Sequence, residues 1–300
     1  MVEVYRDEDQ GPTAKLPVFH SVKLALLWTA AVLARHWRFV GLIALAPALA
    51  VIMSRVLPSP VVSILVAVVF VLAYGALIPL ALVTHNEILR GPSGLDAATL
   101  GKGPGRSLGY VLDWIVIFIF TGLYMLLLGI GAALIGALIQ AIRIPEPLAA
   151  LIVFLVFACA YVLWLGFFVR LMLRLPSRAL GQPLPWSEAR ALGSGNSLRL
   201  VAAHFLVGLV TIVLLVPVGA VVFNFFPLAD LMPDPHTLAA KGPMWAGPPV
   251  VLQVVTAVLS SVLAPFEIIL VCALISVTYL QLRQHAPRIH SNPNEPPEDF

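Results

Sequence analysis

Glu267 is an ionisable side chain inside an apolar run, Pro265-Phe266-Glu267-Ile268-Ile269. A carboxylate at the centre of a bilayer is costly, so it must be protonated, paired or turned towards a wet cavity. Tyr74, Thr121, Tyr161 and Thr211 stand in other apolar runs and offer hydroxyl partners. Pro265 frees a backbone carbonyl one turn earlier, which adds polarity. Glu267, Tyr161 and Tyr74 therefore form a candidate intramembrane polar site, for a substrate or for a proton. A second reading stays open: residues 250–282 are more than one perpendicular span requires, and a span that starts near Val262 puts Glu267 at the outer headgroups.

A different chemistry is offered by Arg170, Arg174 and Arg178, spaced by four. The first two share a helix face, and Pro176 is expected to break the helix before Arg178. Downstream, Gly193-Ser194-Gly195-Asn196 leads into Arg199 and an apolar run. A glycine turn feeding a helix start exposes free N–H groups, which suit an anion. Arg170, Arg174, Arg178, Gly195, Asn196 and Arg199 are thus candidate contacts to a lipid phosphate; the same residues also serve as plain positive anchoring and an ordinary turn. Asp113 and His204, each near the start of an apolar run, read either as polar sites or as capping and snorkelling groups.

Other chemistry finds no support. There is no HExxH, Walker or GxSxG pattern. Gly91-Pro92-Ser93-Gly94 resembles a fragment of membrane lipid phosphatases, but Leu95 stands where a histidine would follow. Cys159 and Cys272 lie in apolar runs without metal-ligand spacing. No catalytic residue, cofactor or metal site is expected.

These groups must be positioned by elements suited to lipid. Of the 300 residues, 60% are hydrophobic and 11% charged, against about 25% charged in a soluble domain. That is too little polar surface to cover a water-facing globule. In lipid, backbone groups must pair internally, and long unbroken runs favour helices over barrel strands. The runs place spans at about 39–57, 61–83, 111–139, 148–169, 200–223 and 255–282. Residues 18–38 hold an apolar centre too short to span. They read as an interfacial amphipathic helix, with Trp28 and Trp37 near headgroups. Residues 1–17 and 284–300 are expected to be disordered. Gly129, Ala133 and Ala137 in the third span, spaced by four, would let a partner helix approach closely, within the chain or in an oligomer.

Of the 18 Lys and Arg residues, 15 fall into four alternate segments between the runs, while Arg55, Arg143 and Lys241 are alone in theirs. Basic loops stay cytoplasmic. The expected fold is therefore an all-α integral membrane protein of six spans in three hairpins, both termini inside. The basic residues border membrane runs, so topology rather than nucleic acid accounts for them.

Three short stretches carry a likeness: residues 170–181 read RLMLRLPSRALG, residues 195–200 read GNSLRL, and residues 279–283 read YLQLR. The chain resembles a broad group of uncharacterised bacterial six-span proteins, related to the membrane domain of some glycerophosphoryl diester phosphodiesterases. The likeness covers most of residues 18–283. It departs at Ala189-Arg190-Ala191-Leu192, where an aromatic residue often stands. It implies a bacterial inner-membrane location; the phosphodiesterase activity belongs to a separate barrel and does not carry over. The expected function is a non-enzymatic membrane protein that binds or handles lipid or another amphipathic molecule. The alternatives are a small-molecule transporter or channel with Glu267 near the pathway, and a membrane assembly partner.

Overall fold

A computed structural model describes residues 15–57, 59–91, 104–142, 145–225 and 250–285. The described residues are helical almost throughout. The helices are α1 (Val18–Val56), α2 (Pro60–Arg90), α3 (Pro104–Ile142), α4 (Glu146–Met172), α5 (Arg174–Leu180), α6 (Trp186–Leu192), α7 (Ser197–Phe225) and α8 (Val250–His285). Five of these segments are long and apolar enough to cross a membrane, and a sixth follows if α6 and α7, bent by 84° at their junction, count as one.

Local chemistry sets the ends. Pro60 occupies the first turn of α2, where its missing N–H costs nothing, and the Ser59 hydroxyl accepts from Val62 N at 3.2 Å. Gly91, with φ of 95°, closes α2 as its N–H bonds the Glu87 carbonyl at 3.0 Å. Gly181, with φ of 83°, closes α5, and Gln182 N–H bonds the Ser177 carbonyl at 3.0 Å. A left-handed residue at this position is strained for any side chain but glycine's.

Several sequence expectations shift. The interfacial helix and first span are one helix, α1, with a break at His36, where φ is −109° and ψ is 20°. The loop expected from residue 84 begins later, because α2 continues to Arg90. Thr84, His85, Asn86 and Glu87 look like loop residues, yet no glycine or proline stops the helix before Gly91. α3 starts at Pro104, so Asp113 lies inside it rather than at its start. α8 runs through Pro265 without ending. Of the two segments expected to be disordered, 1–14 and 286–300 lie outside the described residues, as do Arg143, Lys241 and the whole stretch between α7 and α8. Leu16 is buried and hydrogen-bonded, and α8 includes residues 284 and 285.

Along much of their length the helices turn large apolar side chains outward. Leu42, Leu45 and Leu49 of α1, Ile64 and Leu65 of α2, Phe118, Leu126 and Leu134 of α3, and Phe154 and Leu163 of α4 are all exposed. Monomeric soluble proteins do not carry apolar surface on this scale; hydrocarbon is the solvent that suits it. The chain is a multi-pass helical membrane protein.

Contacts divide the chain into two units. The first comprises Met1–Ser21, Leu108–Ala203 and Ile275–Phe300, the second Val22–Ser107 and His204–Leu274. In the first, Tyr110, Ile117, Leu173, Leu175, Leu200, Ile275 and Tyr279 are fully buried. In the second, Val32, Ile43, Ala73, Leu80 and Ile269 form a core with Leu33, Phe39 and Ala76 packed against it. There α2 is enclosed on every side from Leu80 to Ile88, although its earlier turns are largely exposed.

Candidate functional site

The first unit gathers its polar side chains where α4 gives way to α5. Pro176 has no N–H to bond the Met172 carbonyl, and its ring crowds that carbonyl. The helix accordingly breaks at Leu173, three residues before the proline, and Pro176 sits in the first turn of α5, where no helical partner is required. This differs from the expected break before Arg178. The outcome is that Arg174 and Arg178 share one short helix and converge on one carboxylate. Arg178 donates to Asp113 of α3 through Nε at 2.8 Å and Nη2 at 3.2 Å. Arg174 Nε stands 3.0 Å from Asp113 Oδ2. Side-chain exposure is 5% for Asp113, 11% for Arg174 and 24% for Arg178.

Neighbouring groups hold the guanidiniums in place. Arg174 donates through Nη1 to the Leu184 carbonyl and lies over the Trp186 ring at 4.4 Å, a cation–π contact. Arg170 donates through Nη2 to the Ser197 hydroxyl, while its buried Nε has no hydrogen-bond partner. Two glycines make room. A Cβ on Gly109 would lie 3.2 Å from the Arg178 guanidinium carbon, and one on Gly193 would lie 2.7 Å from Arg170 Cγ. Ser177, buried, donates to the Arg174 carbonyl at 2.6 Å and accepts from Leu184 N at 3.0 Å, which fixes the return from α5 to α6.

The expected glycine turn is present, with a different partner. Gly195 has φ of 77° and Asn196 directly precedes α7, its carbonyl accepting from Leu200 N at 2.8 Å. The Asn196 side-chain carbonyl accepts from Leu16 N at 2.9 Å, and Arg199 Nη1 donates to the Leu16 carbonyl at 3.1 Å. The pair grips the backbone ahead of α1. Ser21 extends this anchorage, donating to Gln281 Oε1 of α8 at 2.6 Å.

The second unit holds a carboxylate absent from the sequence expectations. Glu87 is fully buried; its Oε2 lies 2.5 Å from Arg35 Nη1 and its Oε1 lies 2.8 Å from His36 Nε2. Arg35 directly precedes the break in α1 and His36 is its centre, so one α2 side chain pins the bend. Asn86, 3% exposed, has neither amide atom bonded. Thr84 is satisfied by its own helix, donating to the Leu80 carbonyl at 2.8 Å. The signal that could have found Glu87 is the position of Gly91. Read as the helix stop, it extends the apolar face from Leu80 through Val83 and Thr84 to Glu87 and Ile88.

The remaining expected residues stand apart. Glu267 is exposed on α8. Tyr74, half exposed, stacks on Phe70 with ring centres 6.1 Å apart. Tyr161, also half exposed, packs against Trp164 at 5.5 Å. Thr121 and Thr211 each donate to a carbonyl one turn back in their own helix. Gly129, Ala133 and Ala137 lie exposed on α3. Cys159 is exposed and Cys272 buried, and among the described residues no group of three or more His, Cys, Asp and Glu could hold a metal ion. No family model, curated protein or solved structure matches this chain.

Proposed function

We propose that the protein is a non-enzymatic bacterial inner-membrane protein of six spans, with both termini in the cytoplasm, that binds an anionic amphipathic lipid at the cytoplasmic leaflet. The observation that carries this reading is a charge imbalance. Arg170, Arg174 and Arg178 follow directly on the apolar length of α4, and Asp113 alone offers them a carboxylate within ion-pair distance among the described residues. Hydrogen bonds to Ser197 and to the Leu184 carbonyl satisfy donors but cancel no charge. Cations held at a hydrocarbon boundary attract anionic headgroups, and Trp186 beneath Arg174 is the amphipathic ring that favours this depth. The likeness to the membrane domain of glycerophosphoryl diester phosphodiesterases points the same way.

The test is purification in a mild detergent followed by lipid analysis of the bound fraction. Anionic lipid enriched over the composition of the source membrane is the expected result, with less retained by Arg170→Gln. Bound lipid that mirrors the bulk membrane in both proteins would remove the reading.

A further inference from the structure

We infer that the arginine cluster selects a phosphomonoester headgroup, one terminal phosphate carrying close to two charges, over a phosphodiester headgroup. The inference rests on the lipid-binding reading above and adds the class of headgroup.

Charge comes first. Three guanidiniums and one carboxylate leave two positive charges without a counter-charge among the described residues of the first unit that face them. Glu188 is exposed on α6, beside the equally exposed Arg190. Arg174 and Arg178 are partly shielded from water, with 11% and 24% of their side chains exposed; shielded cations favour a counter-charge, and the deficit matches the roughly two charges of a phosphomonoester near neutral pH. A phosphodiester brings one.

Donor geometry adds an independent argument. Asp113 takes Nε and Nη2 of Arg178 and faces Nε of Arg174, Ser197 takes Nη2 of Arg170, and the Leu184 carbonyl takes Nη1 of Arg174. One terminal nitrogen on each arginine remains without a protein acceptor among the described residues: Nη1 of Arg170, Nη2 of Arg174 and Nη1 of Arg178; the buried Nε of Arg170 and of Arg174 also make no hydrogen bond, but point away from water. A terminal phosphate presents three acceptor oxygens, against two non-bridging oxygens on a diester. The arginines are held by built contacts: glycine at 109 and 193 gives two of them space, and Trp186 supports the third. Such fixed forks suit planar, multidentate phosphate recognition.

The full chain, reconstituted in neutral phosphatidylcholine nanodiscs, would be titrated with phosphatidic acid, phosphatidylglycerol and cardiolipin in parallel, and with inorganic phosphate as a headgroup without a tail. Phosphatidic acid is expected to bind about tenfold more tightly than phosphatidylglycerol, the order of one added hydrogen bond to a charged group. Arg170→Gln and Arg170→Lys separate charge from shape, since lysine keeps the charge and loses the fork. Equal binding of phosphatidic acid and phosphatidylglycerol, or preference for the two diester phosphates of cardiolipin, overturns the headgroup class and leaves the lipid reading standing. Inorganic phosphate that competes fully with phosphatidic acid assigns the site to free phosphate and overturns the lipid source. Binding to none of them removes both.

Discussion

Glu87 and Glu267 occupy the same kind of helix and face opposite conditions. Glu87 is sealed in protein between Arg35 and His36, whereas Glu267 is exposed on its helix. Removing Glu87 leaves Arg35 and His36 without it, but Arg35 is 38% exposed and water takes up part of its charge, so the loss falls below the full cost of a broken buried pair. Glu87→Ala is therefore expected to lower stability by about 1–3 kcal/mol, read from unfolding in mixed micelles with increasing denaturing detergent. Glu267→Gln is expected to leave the same curve unmoved. The reverse ranking would show that the wrong carboxylate has been assigned the structural role. At Gly193, an added methyl would press on the Arg170 stem at 2.7 Å and on Leu200 and Leu173 at 3.2 and 3.3 Å. Overpacking of this kind costs about 1–3 kcal/mol, so Gly193→Ala is expected to unfold earlier by that margin. An unchanged midpoint would mean that the α6–α7 junction is slack. Asn86 makes a finer distinction. If its surroundings are dry, Asn86→Leu removes two unmet hydrogen-bonding atoms and should stabilise the fold by about 1 kcal/mol. A loss of stability instead would reveal a bound water or ligand at that amide.

At the scale of elements, what was legible in the sequence was whatever lipid dictates. Long apolar runs announced helices, and the five long apolar helices and the bent α6–α7 pair correspond to the runs read as spans. What stayed hidden was where polar residues belong to a helix rather than to a loop. Thr84-His85-Asn86-Glu87 has the composition of a loop, but as the last turns of α2 these residues are buried on all sides. Pro176 was legible as a breaker, but its effect falls three residues earlier, and that displacement pairs Arg174 with Arg178. Asp113 could not be matched to its arginines because a pair 65 positions apart has no local signature. Asn196 and Arg199 were read as anion contacts; Leu16, which occupies them, lies 180 positions from Asn196. The extended α2 gives a direct test. In a background without Cys159 and Cys272, Ile88→Cys is expected to react slowly with a small alkylating reagent and Arg90→Cys quickly, as Ile88 is 7% exposed and Arg90 is exposed. Equal, rapid reaction at both would return this stretch to a loop.

For the whole molecule, the account depends on these helices lying in hydrocarbon with their basic segments on one side. Exposed apolar side chains on α1 to α4 support the first half of that statement, and the second is the orientation proposed from the alternation of Lys and Arg along the chain. The lipid reading follows from both, because an arginine cluster binds headgroups only where headgroups are. The most direct measurement is labelling of single cysteines in intact cells by a membrane-impermeant thiol reagent, with Cys159 and Cys272 replaced. Leu57→Cys, in the turn between α1 and α2, should be labelled from outside. Ser187→Cys, exposed on α6 beside the arginine cluster, should be labelled only after the membrane is opened. Labelling of Ser187→Cys in sealed cells would contradict the account.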